Sequence, residues 1–266
     1  RNDWVDGYFP CLFTFENLEA NTTYAINIKL NDVFIETQKI KTFHKNNYED
    51  FSFLVGSCSK VADNFFEYWS QPGVNNLAFK KMRKADADFN IWIGDNSYLR
   101  KDDFESTANM TRRHIHTRLH QPINKLIKKR PNYATWDDHD YGPNNADKNY
   151  EKKEVTLSLF QQFWGNAFYG TKDTKGVFSN FTYQDAEFFL LDNRYHKSAL
   201  GEENGSTLGE EQLEWFKNAL LESKTTFKLV MSGLQFLNEK GGGEGFKEFP
   251  KERQEILDFI AKHDIK

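Results

Sequence analysis

Four short apolar runs, each stopping at a polar cluster, constrain this chain more than any other feature. FSFLV (51–55) runs into Gly56, Ser57 and Cys58. FNIWI (89–93) runs into Gly94, Asp95, Asn96, Ser97 and Tyr98. NYATW (132–136) runs into Asp137, Asp138, His139 and Asp140, and EFFLL (187–191) into Asp192, Asn193 and Arg194. Short apolar runs bounded by turn residues predict buried strands. The stretches between and after them carry helical spacing. NNLAFKKMRKADAD (75–88) repeats Ala78, Met82 and Ala85, and a long polar pattern covers 108–129 with an interruption at Pro122. Further helices are predicted around 152–164, over LGEEQLEWFKNALLES (208–223) and over PKERQEILDFIAKH (250–263), the last with Pro at its first turn. Strands are also predicted at 176–183, 186–192 and 227–233. Strands alternating with helices predict an α/β fold. Open α/β sheets bind ligands beyond the carboxyl ends of their strands, where these four clusters sit.

The first 46 residues have a different rhythm. Leu12, Phe13 and Phe15 end one predicted strand, and Tyr24, Ile26, Ile28 and Leu30 alternate with polar or small residues. That is the period-2 signature of a half-buried strand. Asn31 and Asp32 signal a turn, and 34–43 supplies the return strand. Leu18, Thr22 and Tyr24 are spaced as in the tyrosine corner of immunoglobulin-like sandwiches. About three strands are too few for a sandwich. Either such a domain starts upstream, or these strands pack on the rest. The polar HKNNYED (44–50) is the predicted boundary, and KGGGEG (240–245) reads as a mobile loop.

At 266 residues, one to two domains are expected. The balance of 35 basic and 39 acidic residues excludes nucleic-acid binding by bulk charge. No apolar run is long enough for a membrane span. The polar first six residues are no signal peptide, and one cleaved earlier leaves no trace. Two cysteines, Cys11 and Cys58, exclude a disulfide scaffold, and their differing settings argue against a pair.

The cluster residues offer specific chemistry beside blander readings. Cys58 reads as a small buried hydrophobe or, if Gly56 turns the chain sharply, as a thiolate exposed to a metal. Asp95 reads as a helix N-cap or as a ligand; Tyr98, three residues on, could face the same point. A carboxylate and a phenolate together suit a hard trivalent ion such as Fe³⁺. In WDDHD, three carboxylates around a histidine repel one another unless a cation lies among them. Asp138 is then a metal ligand beside His139, with Asp140 holding the imidazole. Asn144 and Asn145 read as loop residues or as the neutral oxygen ligands that calcium accepts. Arg194 reads as an ion-pair partner of Asp192 or as a forked donor to phosphate oxygens. His114, His116 and His120 fit no metal site on one helix face and read as surface residues. Trp92 and Trp136 are core candidates. No P-loop, G-x-G-x-x-G, H-E-x-x-H or G-x-S-x-G motif occurs.

Taken in order, FLVGSCS, IWIGDNSY, ATWDDHDYGPNNAD, LLDNRY, LGEEQLEWF and FPKERQEIL resemble the PhoD-like alkaline phosphatase family of metallophosphoesterases, over roughly residues 50–266. The resemblance implies a four-layer αββα sandwich at 50–266, preceded at 1–46 by the C-terminal part of an immunoglobulin-like β domain. It implies a two-metal site holding Fe³⁺ and Ca²⁺, or other divalent ions, that activates water to hydrolyse a small-molecule phosphate mono- or diester. Carried over, Cys58 and Tyr98 bind iron, Asp95 bridges the metals, and Asp138, where most metallophosphoesterases have Asn, binds the second metal together with Asn145. His139 stabilises the transition state or protonates the leaving oxygen. Arg194 contacts phosphate or forms a structural pair, and Gln235 falls near another family motif. The family continues past its closing helix into a strand ending Gly-Asp-x-His that brings further ligands, so a later segment or a second chain is expected to complete the site. Export to the periplasm or outside the cell is implied by the family alone. Two readings of other classes stand beside this one: a metal-free cysteine hydrolase built on Cys58 and His139, and a non-catalytic binding protein with a degenerate metal fold.

Overall fold

The computed structural model describes residues 5–8, 10–43, 49–64, 67, 77–240 and 243–266. Most of the predicted boundary at 44–50 lies outside these, as do 75 and 76 of the first predicted helix and 241 and 242 of the glycine-rich stretch.

The four apolar runs become strands of two separate sheets. β3 (Phe53–Gly56), β4 (Phe89–Ile93) and β5 (Asn132–Thr135) form a parallel sheet in the order β3-β4-β5. β6 (Ser179–Tyr183) and β7 (Ala186–Leu190) pair antiparallel, and β8 (Phe227–Met231) joins β7 in parallel. Alternation along β4 decides the layers. Phe89 and Ile91 point at the second sheet and pack with Tyr183, Phe188 and Leu190. Trp92 points the other way, onto Phe79, Ile123, Leu126 and Phe160. Those residues come from helices α1 (Leu77–Lys84), α3 (Gln121–Ile127) and α5 (Lys153–Phe163). Across the second sheet, Phe189 meets Phe216 and Leu220 of α6 (Glu210–Glu222) and Ile256 of α7 (Pro250–Lys262). The order is helices, sheet, sheet, helices. Strands covered on both faces need continuous apolar sequence, which is why β7 is buried throughout.

Aromatic rings fill the space between the sheets. Phe89 stacks on Phe53 at 5.6 Å and meets Phe188 edge-on at 5.4 Å. Such pairs add roughly 0.5–1.5 kcal/mol beyond the area they bury.

The predicted long helix over 108–129 is two helices, α2 (Thr107–Leu119) and α3, separated at His120, whose ψ of 122° leaves the helical region. Pro122 sits in the first turn of α3, where its missing N–H costs nothing. His114 is a correction. It is fully buried and stacks on Phe163 at 4.9 Å, because the 3.6-residue period puts it on the same face as Met110 and Thr117. The expected charged loop after β5 is instead a one-turn helix, α4 (Asp138–Tyr141), started by a capping box between Asp137 and Asp140.

At the start of the chain, Leu12, Phe13 and Phe15 form no strand and stay exposed, a second correction. Three apolar residues are too short a pattern to specify a register, and no strand pairs with them among the described residues. β1 (Thr23–Leu30) and β2 (Val33–Lys41) form an antiparallel hairpin. Its turn residues Asn31 and Asp32 have φ of 48° and 64°, as a two-residue turn between twisted strands requires. The Tyr24 hydroxyl accepts the Glu19 N–H at 2.8 Å. Just past the hairpin, Phe43 enters the core between the sheets, 4.5 Å from the Tyr183 ring. No helix among the described residues is long and apolar enough to cross a membrane.

Candidate metal centre

The carboxyl ends of β3, β4, β5 and β7 meet at one place. The Cys58 N–H bonds the Gly94 carbonyl at 3.2 Å and the Ser59 N–H bonds the Asp95 carbonyl at 2.9 Å, joining the β3 and β4 ends. Gly94 lets the β5 end come close. Its φ is 107°, and a Cβ there would lie 2.5 Å from the Asp137 Cβ. Trp136, at the end of β5, donates its indole N–H to Asp192 after β7, at 2.6 Å.

Left-handed backbone occurs at this junction as well as in turns elsewhere. Cys58, Asp95 and Asn145 have φ of 57°, 53° and 62°. Non-glycine residues in the left-handed region cost free energy and cluster at functional sites. All three are among the residues the family resemblance assigns to metal.

Ligand atoms of Asp95, Asp138 and His139 lie within 4.8 Å of one another. The Tyr98 hydroxyl donates to Asp95 Oδ2 at 2.8 Å, and the Cys58 thiol lies 3.6 Å from the same oxygen. The Asp138 carboxylate accepts the His139 N–H at 2.8 Å on one oxygen and the Asn145 N–H at 2.8 Å on the other. With its amide turned to donate, Asn145 is 3.2 Å from Asp138 Oδ2 and 3.2 Å from Glu244 Oε2. The Tyr98 and His139 rings stack at 4.4 Å. Asp95 and Asp138 are buried, and Cys58 is exposed rather than a buried hydrophobe.

The electrostatics are those of crowded anions. Burial pushes the Asp95 carboxyl up, and the neighbouring Asp138 charge adds to this. Asp138 itself is held below the usual range: the Arg194 charge and the Asn145 N–H outweigh its burial. Burial raises the Cys58 thiol and, with the Asp95 charge, the Tyr98 phenol. Burial also pushes Asp137 up to about 6 against the pull of Arg194. A thiol, a phenol and two carboxylates around one point favour a cation there.

Two expected partnerships are replaced by others. Asp140 does not reach the His139 ring. Its oxygens accept the backbone N–H groups of Ser97 at 2.7 Å, Asn96 at 3.0 Å and Asp137 at 3.3 Å. Arg194 does not pair with Asp192, which accepts the N–H groups of Arg194, Tyr195 and Val177. The Arg194 guanidinium is instead clamped between Asp137, at 2.6 Å, and Glu244, at 2.7 Å, and is 1% exposed. Glu244 also pairs with buried Lys197 at 2.8 Å. Glu244 and Lys197 had no sequence signal beyond a lone carboxylate among glycines, so that stretch carries an anchor. Gln235 is exposed and its side chain accepts from Asn238.

A groove of about 610 Å³ opens beside the cluster, with Tyr98 and His139 in its wall. Lys60, Arg100 and Lys101 also line it.

Comparison with known proteins agrees with this geometry. Alkaline phosphatase D from Bacillus subtilis (strain 168) is 20% identical over 302 aligned positions, covering 94% of this chain and 50% of that protein. The solved structure of PhoD superposes with a TM-score of 0.73 at 18% identity, over 92% of this chain and 55% of its own. The purple acid phosphatase PPD1 from yellow lupin (Lupinus luteus) seeds shares the fold with a TM-score of 0.58 at 14% identity, over 94% of this chain and 43% of its own. The chain thus spans about half the length of PhoD and of alkaline phosphatase D. The sequence profile of PhoD-like phosphatases matches residues 53–266, most of the chain and all four strand-end clusters, and this chain belongs to that family.

Proposed function

We propose that this chain is the catalytic core of a metal-dependent phosphoric ester hydrolase acting on a small-molecule mono- or diester. The observation that carries the reading is the Asp95, Asp138 and His139 cluster, built on strained backbone at the ends of four strands. The donor set fits cations. Cys58, Tyr98 and Asp95 offer a thiolate, a phenolate and a carboxylate, which suit Fe³⁺. Asp138 offers carboxylate oxygens of the kind Ca²⁺ takes, and Asn145 beside it would add its amide oxygen by turning the amide from its donating orientation. Bound there, two metals would supply Lewis-acid charge and an acidified water for in-line displacement.

The chain's own residues do the rest. His139, stacked on Tyr98 in the groove wall, is placed to donate a proton to the leaving oxygen or to neutralise charge on the phosphoryl group. The groove has the volume of a small-molecule pocket and receives the ester's organic group. Lys101 adds positive charge to its wall, while Lys60 and Arg100 are paired with Glu67, which also lines it. Of the two roles open to Arg194, its near-complete burial supports a clamp that keeps Asp137 and Glu244 in place.

The layer order supports the αββα sandwich, and the hairpin with its Tyr24 corner supports a remnant of an immunoglobulin-like domain. The outer edge of β8 carries no partner strand among the described residues, and Phe227 and Val230 are exposed on it. That open edge supports a further, ligand-bearing strand pairing there.

The test is hydrolysis of p-nitrophenyl phosphate and bis(p-nitrophenyl) phosphate by the full-length protein, before and after chelation. Asp138→Ala is expected to abolish turnover and lower metal content, because it removes a hard anionic ligand. Turnover that survives chelation would refute the reading and favour a thiol hydrolase on Cys58.

A further inference from the structure

We propose that Asp140 is the positioning residue of this centre: its carboxylate ties the turn at 95–98 to the start of α4 and so sets the spacing between Asp95 and Asp138. The inference rests on the metal-centre reading above and assigns it a residue that touches neither substrate nor metal.

Asp140 is 1% exposed, and its carboxylate bonds to backbone N–H groups of the two segments that carry the cluster. Ser97 and Asn96 belong to the turn after β4; Asp137 caps α4, on which Asp138 and His139 lie. Three N–H groups converge on its two oxygens, so the bonds hold both segments at once. The two turn N–H groups directly follow Asp95, whose φ of 53° is left-handed. N–H groups that follow such a residue converge into a concave anion seat. Strain of this kind persists only where the surroundings over-determine it, and Asp140 does so from the opposite segment. The half-buried Arg118 of α2 backs the arrangement. Its guanidinium lies over the Phe163 and Trp164 rings at 4.7 and 4.6 Å, reaches Ser97 Oγ at 3.5 Å, and its charge faces Asp140.

The sharpest variant is Asp140→Asn. It keeps the size, but its amide group turns N–H donors toward N–H donors, so the three bonds cannot all survive. In the full-length protein, titrated with Mn²⁺ by calorimetry, we expect metal affinity to fall by roughly 10–100-fold, the usual effect of losing a residue that orients ligands. Amide exchange measured by mass spectrometry should accelerate at least ten-fold in peptides covering 95–98, with core strands β4 and β7 unchanged. A merely structural residue would speed exchange throughout and leave the folded protein's Mn²⁺ affinity alone. A folded Asp140→Asn protein with wild-type Mn²⁺ affinity would therefore overturn the proposal. Should the variant not fold, the wild-type protein decides. Mn²⁺ must then slow exchange at 95–98 and at 137–141 with one midpoint, and separate midpoints overturn the tie. A wild-type protein that binds no Mn²⁺ fails the metal reading itself, which is distinct from failure of the positioning role.

Discussion

Gly94→Ala is the substitution whose cost follows most directly from the geometry. The added Cβ would lie 2.5 Å from the Asp137 Cβ and 3.0 Å from the Asp137 nitrogen, both rigid parts of a helix start rather than the tip of a flexible side chain. The φ of 107° is itself strained for any residue with a Cβ. Strain costs roughly 1–3 kcal/mol, and overpacking typically adds about 1–3 kcal/mol. Their sum, about 2–6 kcal/mol, is a large part of a typical stability of roughly 5–15 kcal/mol. For a chain of this size, 1 kcal/mol corresponds to a Tm change of about 2–4 °C. A drop of roughly 4 °C or more is therefore expected in a thermal melt of the metal-free protein. Relief by separating the two segments would also pull Asp95 away from Asp138, so metal affinity should fall with Tm. A Gly94→Ala protein with Tm within about 2 °C of wild type and unchanged metal binding would refute the claim that this glycine sets the approach of the β4 and β5 ends.

His139→Ala is expected to lower kcat by roughly 10²–10⁴ while metal content holds, since Asp95 and Asp138 remain; loss of metal instead would make His139 a ligand. Cys58→Ser and Tyr98→Phe should selectively lose iron and any visible charge-transfer band, read by metal analysis and absorption spectra, and unchanged iron in both would make them structural. His114 should give stability a pH dependence. Burial lowers its pKa well below the ordinary value, so the folded protein keeps the ring neutral while the unfolded chain takes up a proton as pH falls. Stability is then retained above about 6.5 and falls below it, and His114→Phe should lessen that slope in urea titrations at pH 7 and pH 5.

Much of this architecture is written locally. An apolar run of five residues followed by Gly-Asp or Asp-Asp needs no distant information to read as a buried strand with a polar end, and β4 and β7 are buried as their composition requires. The break near Pro122 and the turn at Asn31 and Asp32 are equally local, because proline and left-handed φ act on the residues that carry them. Periodicity was legible too, but the polarity of α2 concealed which face it buries, and His114 went inside. What no local pattern decides is which polar group meets which. Asp140 had a histidine beside it in sequence, yet its oxygens went to backbone more than 40 residues earlier. Arg194 stood two residues from Asp192 and instead joined Asp137 and Glu244, 57 and 50 residues away. Neighbours in a turning chain point in different directions, and a buried charge takes whichever partner the packed sheets and helices bring within about 3 Å. The residue types of the centre were therefore determined by the sequence alone; their pairing, and the strained approach at Gly94 that permits it, were decided by the tertiary structure, because hydrogen bonds and ion pairs are satisfied through space.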